Sequence, residues 1–307
     1  MRKYKKRFIC HIMVILIIFS FIGCRKSEKL KEVDFKDTVK IKEAQVFSRP
    51  EINICVGSMI TPEEGYAHYK RMLDYIGKKL DMKVNFVEKR SYNEVNALLK
   101  NGNIDVAFVC GGPYVAGREE FNLELLVAPM VEGRTIYYSY IIVGRDSPIV
   151  KFEQLKGKVF AFVDPMSNTG KLVPTYMVNE LGKTPDEFFK EYLYTYGHDS
   201  SIKAVAQGIV DGAAVDSLIW DYMDKKDNKY TKQTKIIKIS DPYGIPPVVV
   251  RPGIDEKLKN KIKNIFLNIH NDKEGQDILQ EMFIDRFVEV DDSIYDTIRD
   301  IKTRIGE

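Results

Sequence analysis

Seven residues near the middle of the chain, Asp164-Pro165-Met166-Ser167-Asn168-Thr169-Gly170, concentrate side chains suited to holding an anion. Ser167, Asn168 and Thr169 supply hydrogen-bond donors, and Gly170 removes the side chain that would block close approach. Phe160-Ala161-Phe162-Val163 before them read as a buried strand, and the amphipathic stretch after them as a helix. A strand-to-helix turn of this make-up presents free backbone N–H groups and the positive end of a helix dipole to a ligand. The same residue types are the preferred helix caps, so an ordinary N-cap is the competing reading. Pro174 falls just inside the helix and removes one of its hydrogen bonds, so an irregular or kinked start is expected.

The elements that must position this turn can be read on either side of it. Residues 51–57 alternate Ile52, Ile54 and Val56 as a first strand, and Pro62 opens a helix with Tyr66, Tyr69, Leu73, Ile76 and Leu80 on one face. A strand is expected at 83–88. Ser91 and Glu94 then form a capping box for a helix that runs to Gly102. Further strands are expected at 104–110, 135–143, 192–196, 210–215, 236–239 and 247–250. A short helix is expected near 152–155, a helix capped by 198–200, a polar surface loop at 224–233, and helix from Asp255 onward. Strands alternating with helices imply βαβ units and a parallel sheet, an α/β fold. One echo stands out. Gly102-Asn103-Ile104-Asp105-Val106-Ala107 and Gly208-Ile209-Val210-Asp211-Gly212-Ala213 share one pattern 106 residues apart (Gly102 to Gly208), which suggests two lobes of similar design. Such a protein takes its ligand in the cleft between lobes, at strand C-terminal ends.

Residues 1–23 belong to a different regime. A basic start (Arg2, Lys3, Lys5, Lys6, Arg7) precedes an apolar run over 8–22 that ends at Gly23-Cys24, the design of a secretory signal peptide, with an uncleaved N-terminal anchor as the alternative. The ending resembles a bacterial lipobox with Phe21 in place of the usual Leu, which makes Cys24 the expected lipidation site. Lys- and Glu-rich residues 24–49 then read as a tether. Without the five basic residues of the signal, 42 basic and 44 acidic side chains remain, a net of −2, so nothing global argues for nucleic acid. Cys10 falls in the signal. Cys55 and Cys110 end apolar strands and are more often plain buried residues than a disulfide. No Cys/His spacing suggests a metal site, and no cofactor is expected.

With these residues in view, the chain from about residue 50 to 290 resembles the phosphonate/phosphite/phosphate substrate-binding proteins of ABC importers. The resemblance rests on Arg145-Asp146-Ser147-Pro148, on the heptad with its continuation Lys171-Leu172-Val173-Pro174, and on Gly197-His198-Asp199; Thr169 stands at the heptad's second hydroxyl. It implies a type 2 periplasmic-binding-protein clamshell with lobe 1 at 50–142 plus 246–307 and lobe 2 at 143–245. Crossing segments are implied near 141–146 and 240–247, with the C-terminal helices returning to the first lobe. It also implies that Ser167, Asn168, Thr169 and Gly170 hold an oxyanion, that Tyr92 and Tyr137 donate to it from the first lobe, and that His198 donates from the second. By their residue types alone, Tyr92 reads as helix surface, Tyr137 as core and His198 as a helix cap. Asp216 ends a strand facing the cleft, where a plain helix cap is the alternative.

Family members that hold an aminoalkylphosphonate need acids near the amine, and neither Leu218 nor 243–247 supplies one. Phosphite, phosphate or methylphosphonate fits better, and a carboxylate at Asp216 would favour a monoprotonated ligand. The expected protein is thus a monomeric lipoprotein on the outer face of the cytoplasmic membrane, delivering an oxyanion to a membrane permease. A sensor of the same fold is the second reading. A hydrolase using Ser167 and His198 is the third, and it lacks a nucleophile elbow, a phosphate loop and a metal cluster.

Overall fold

The computed structural model describes residues 49–57 and 62–306. The expected signal peptide, Cys10, Cys24 and nearly all of the tether lie outside the described residues.

Two sheets carry the chain. The first has the order β13-β4-β12-β3-β1-β2, with β1 Glu51–Val56, β2 Lys83–Glu88, β3 Val106–Phe108, β4 Glu124–Met130, β12 Val248–Val250 and β13 Arg286–Val288. The second has the order β10-β6-β9-β7-β8, with β6 Ser139–Gly144, β7 Val159–Phe162, β8 Glu191–Tyr194, β9 Gly212–Asp216 and β10 Thr234–Ile239. In each sheet three strands run parallel (β2-β1-β3 and β8-β7-β9), then one runs antiparallel to them (β12 and β6) and another reverses again. The lobes are therefore built alike, and the βαβ reading holds in both.

Helices follow from the same logic. α1 Pro62–Leu80 leads from β1 to β2, α2 Tyr92–Lys100 from β2 to β3, and α3 Gly111–Phe121 from β3 to β4. Both halves of the Ser91/Glu94 capping box are formed. In the second lobe α4 Val173–Asn179 and α5 Pro185–Phe188 precede β8, α6 His198–Ala206 leads into β9, and α7 Ser217–Lys225 follows it. The helix at 198 is entered from Gly197 with no side-chain cap, so His198 is its first residue rather than its cap. α7 occupies the start of the stretch read as a polar loop. α8 Glu256–Asn268, α9 Lys273–Glu281 and α10 Asp296–Ile305 return to the first lobe, whose core takes in Ile262, Phe266, Ile278 and Ile298.

The sequence echo has a structural meaning. Gly102 and Gly208 both adopt positive φ, +73° and +68°, just past a helix end. Asp105 then exchanges two hydrogen bonds with Asn53 at the start of β1: its carboxylate accepts the Asn53 N–H at 2.9 Å and its own N–H goes to the Asn53 carbonyl at 2.9 Å. Asp211 does the same with Val159 at the start of β7, at 2.8 and 2.9 Å. Each aspartate pins the entry of the strand whose far end faces the cleft.

The first crossing lies earlier than 141–146. Those residues belong largely to β6, inside the second sheet, while β5 Ile136–Tyr137 pairs with β11 Tyr243–Gly244 in a two-stranded ribbon outside both sheets. The aromatic run 135–143 reads as one strand because no Gly or Pro marks the change of sheet at Tyr138. β4 and β13 were not expected either: Glu124–Met130 has no period-two alternation and contains Pro129.

Candidate functional site

The heptad forms the turn between β7 and the next helix, and its irregularity has a traceable cause. Ser167 caps the turn by accepting the Gly170 N–H on Oγ at 3.0 Å. Residues Asn168–Leu172 form a π-turn, closed by the Leu172 N–H to the Ser167 carbonyl at 2.9 Å, before α4 continues. Pro174 has no N–H to give the Gly170 carbonyl, which instead accepts the Val163 N–H at 3.1 Å and ties the helix start to β7. A Cβ at Gly170 would lie 2.6 Å from the Val163 Cβ, so this close approach requires glycine. The irregular start expected from Pro174 is therefore present. It turns Asn168 and Thr169 inward, both fully buried.

Buried polar atoms almost always find partners, so exceptions call for an explanation. Among the described residues eight such side-chain atoms have none, and five of them are Tyr92 OH, Asn168 Oδ1, Thr169 Oγ1, His198 Nε2 and Asp216 Oδ2. All five belong to residues named from the sequence, where Tyr137, Ser167 and Gly170 were named beside them. Tyr92, read by type as helix surface, is fully buried. Tyr137 OH accepts from Asn168 Nδ2 at 3.1 Å and lies 3.2 Å from Cys110 Sγ. Carboxamide orientation is fixed only by the surrounding network. Turning Asn168 over would let Tyr137 donate to Oδ1 and would aim Nδ2 inward as a donor. Asp216 is the helix cap offered as its alternative reading: its Oδ1 caps α7 by accepting the Leu218 N–H at 2.7 Å, while its Oδ2 is left unpartnered.

Contacts knit these groups into one locus. The Asp216 N–H donates to His198 Nδ1 at 2.9 Å. Ser139, opposite Asp216 in the β6–β9 register, donates its hydroxyl to the Thr169 carbonyl at 2.6 Å. Across the lobes, the Tyr92 N–H donates to Asp164 Oδ2 at 3.1 Å, while Asp164 Oδ1 holds the Met166 N–H at 2.8 Å. A Cβ on Gly112 of the first lobe would lie 2.1 Å from the Met166 carbonyl of the second. The heptad is thus one surface on which the lobes meet.

Among the residues of this locus not singled out from the sequence as site residues are Ser139, Asp164, which works as a cross-lobe acceptor, and Cys110. The echo could have found the cysteine. At the same 106-residue offset Tyr92 corresponds to His198, each the first residue of a helix, and Cys110 corresponds to Asp216, each the residue that precedes one. Cys110 and Cys55 are both free thiols.

Burial dominates the electrostatics. It holds the Tyr92 and Tyr137 phenols well above their ordinary range, with Cys110 as the next cause for both, so both stay neutral donors. Burial alone lowers His198 to about 3. A neutral imidazole that accepts a hydrogen bond on Nδ1 carries its proton on Nε2, so the inward nitrogen is a donor. A histidine held neutral in this way is a poor general base, and Ser167 Oγ accepts the Gly170 N–H as a turn cap. Asp216 is pushed up to about 7 by burial, against the pull of the Leu218 and Ile219 N–H groups. The Cys110 thiol is also raised, by burial above all. The arrangement offers several neutral donors and one carboxyl able to take or share a proton, which suits a partly protonated tetrahedral anion. Among the described residues no cluster of His, Cys, Asp and Glu is placed to hold a metal.

Residues 54–295 match the family model described as ABC transporter, phosphonate, periplasmic substrate-binding protein, so the chain belongs to that family. It is 27% identical over 210 residues to the phosphonates-binding periplasmic protein of Escherichia coli (strain K12), covering 67% of this chain and 62% of that relative's length. Its fold is shared with a binding protein component of an ABC phosphonate transporter from Pseudomonas aeruginosa, with a TM-score of 0.79 at 22% identity, covering 84% of this chain and 87% of that one. It is shared as well with PhnD1 from Prochlorococcus marinus (MIT 9301), solved in complex with methylphosphonate, with a TM-score of 0.76 at 19% identity, covering 83% and 98%. The fold is a type 2 periplasmic-binding-protein clamshell with two crossing segments.

Proposed function

We propose that the chain captures a phosphorus oxyanion (phosphite, phosphate or a small alkylphosphonate) between its lobes and hands it to the membrane permease of an ABC importer. The observation that carries this reading is the set of buried, unpartnered polar atoms on Tyr92, Asn168, Thr169, His198 and Asp216. Thr169 and the turned Asn168 carboxamide bind oxygens at the helix start, with Ser167 and Gly170 shaping the turn. Tyr92 donates from the first lobe, with Tyr137 orienting Asn168, and His198 donates through Nε2–H. Asp216 shares a proton with the ligand. Binding is by lobe closure, with Asp164 and Gly112 at the closing contact, and involves no covalent step. The protein works as a monomer, held by a lipid on Cys24 at the outer face of the cytoplasmic membrane.

A thermal-shift and calorimetry panel of phosphite, phosphate, methylphosphonate, 2-aminoethylphosphonate and alkylsulfonates tests the ligand class. A ligand of the native state raises the melting temperature. Phosphorus oxyanions are expected to do so and sulfonates to do so less; a panel with no response overturns the site. Cys24→Ala is expected to move the protein from the membrane fraction to the soluble exported fraction.

A further inference from the structure

The two crossings meet at a pair of serines. Ser139 opens β6 just after the first crossing, and Ser240 follows the end of β10 at the start of the second. The Ser139 N–H donates to Ser240 Oγ at 2.9 Å, and the Ser240 N–H donates back to the Ser139 carbonyl at 3.0 Å. One residue earlier the pattern repeats. The Tyr138 N–H donates to Ser217 Oγ at 3.0 Å, and the Ser217 N–H donates to the Tyr138 carbonyl at 3.0 Å. Serine hydroxyls thus stand in for ladder carbonyls at the point where the chain leaves the second sheet.

The Ser139 side chain makes a further bond, into the anion turn. It is fully buried, and its hydroxyl donates to the Thr169 carbonyl at 2.6 Å. The sequence explains why that carbonyl needs a donor. The π-turn pairs each carbonyl with the N–H five residues on, Ser167 with Leu172 at 2.9 Å and Asn168 with Val173. In that register the Thr169 carbonyl falls to residue 174, a proline without an N–H. A buried carbonyl left without a donor is costly, and Ser139 supplies the donor from the crossing. The same serine therefore holds the joint between the lobes through its backbone and the anion turn through its side chain. Fixing the Thr169 carbonyl fixes the orientation of that residue, and so the direction of Thr169 Oγ1, which is buried and unpartnered.

We propose that Ser139 is a positioning residue for ligand binding, one that sets the Thr169 hydroxyl relative to the crossings. Its only hydroxyl proton is spent on the Thr169 carbonyl, so it acts through Thr169 rather than on the ligand. This rests on the oxyanion reading above and deepens it. The grip of the anion turn is tied to the geometry of the joint about which the lobes close.

A double-mutant cycle on the full chain tests it, by calorimetry with phosphite, phosphate and methylphosphonate and by the melting temperature of each ligand-free variant. Ser139→Ala is expected to weaken binding about ten-fold in the unaltered chain. Once Thr169→Val has removed the hydroxyl that Ser139 positions, the same change should cost less than about two-fold. A serine that served only the stability of the crossings would lower the melting temperature and leave the affinity of the folded protein alone. Ser240→Ala is the control: it breaks the serine pair but leaves the Ser139 hydroxyl on Thr169, so it should lower the melting temperature and change affinity less than Ser139→Ala does. Unchanged affinity in Ser139→Ala, or an equal loss in both Thr169 backgrounds, overturns the inference while the oxyanion site stands. If the unaltered chain binds none of the three anions, the oxyanion reading has failed and this inference falls with it. Where the alanine variant does not fold, Ser139→Cys, which keeps a weaker donor on the same carbon, carries the same cycle with a smaller loss.

Discussion

In the first lobe the helix after the second strand begins with Tyr92; at the equivalent place in the second lobe it begins with His198. The next pair is Cys110 against Asp216, each at the end of the third parallel strand. The scaffolds that present these pairs are alike down to the aspartate that pins each first strand. What differs is the chemistry at their tips. The first lobe brings a phenol and a weakly donating thiol. The second brings an imidazole N–H, a proton-sharing carboxyl and the whole heptad. On the proposed oxyanion reading, the second lobe would supply most of the grip, while the first would complete the cage when the lobes meet. Losses on the second lobe should weaken the grip. Losses on the first should act mainly through closure.

The largest expected effect tests closure. Gly112→Ala puts a methyl group 2.1 Å from the Met166 carbonyl of the opposite lobe and 3.2 Å from the Asn168 backbone nitrogen, while leaving every ligand-facing side chain in place. Overpacking of this kind costs about 3 kcal/mol where backbone cannot yield. The variant is expected to fold with an unchanged melting temperature in the absence of ligand, because an open form relieves the contact. Its affinity should fall by about two orders of magnitude. Calorimetry and small-angle scattering with and without ligand check both halves. Undiminished affinity would mean that the heptad is not a closing surface.

Next in size come the donors themselves. Thr169→Val keeps shape and removes a hydroxyl, and is expected to cost about 1–3 kcal/mol of binding free energy. Tyr92→Phe removes the facing donor from the first lobe and should cost less than Thr169→Val by calorimetry. Equal or reversed losses would mean that the lobes share the grip evenly.

How much of this was legible beforehand follows from what each signal consists of. The heptad could be named because a hydroxyl-rich turn is a local pattern, and Asp216 because it ends a strand at the cleft; Tyr92, Tyr137 and His198 were named only through the resemblance to the binding-protein family, since by residue type they read as surface, core and cap. The βαβ alternation was legible because it too is a local pattern. Cys110 was passed over because its residue type argues for core. Its place is shown only by the 106-residue offset, applied to Asp216 rather than to the glycines where the offset was noticed. The change of sheet at Tyr138 carries no turn residue, and the edge strand β13 is paired with a partner far away in sequence. Neither leaves a local trace. The hydrogen bonds of Ser139 join it to Thr169 and Ser240, 30 and 101 residues away, so no window of sequence contains them.

The third comparison is in pH. Asp216 is raised from 3.8 to about 7, so the folded protein binds its proton more tightly than the unfolded chain. Stability from this group is fully present below pH 4 and is lost as pH rises toward 7. His198 is lowered from 6.5 to about 3, so its contribution is lost as pH falls from 6.5 toward 3. Both titrating mates on the second lobe act, in opposite directions, whereas the phenol and thiol of the first lobe stay neutral across this range. Asp216→Asn should flatten the alkaline side of a melting-temperature profile and leave the acid side. For binding, affinity should fall by up to about ten-fold per pH unit above 7 as the shared proton is lost. Calorimetry from pH 6 to 9 tests this, and an affinity that rises over that range would remove Asp216 from the site.

The smallest expected effect bears on Cys110. If the offset that relates it to Asp216 reflected equal roles, Cys110→Ser and Asp216→Asn would cost similar amounts. The geometry argues otherwise. Cys110 Sγ sits 3.2 Å from Tyr137 OH, and Tyr137 in turn holds Asn168, so the thiol acts on the ligand through two intermediates. Serine keeps a hydrogen bond to Tyr137 and is slightly smaller, so the change should stay below about 1 kcal/mol. Alkylation is a sharper probe than affinity here, because a buried and protonated thiol reacts slowly. Cys110 should be modified more slowly still when ligand holds the lobes shut, whereas Cys55, in the core of the first sheet, should not change its rate. A Cys110→Ser loss as large as that of Asp216→Asn would mean that the lobes are functional equals at this pair and not merely structural ones, and a Cys110 alkylation rate that ligand leaves unchanged would mean that the thiol lies outside the closing site.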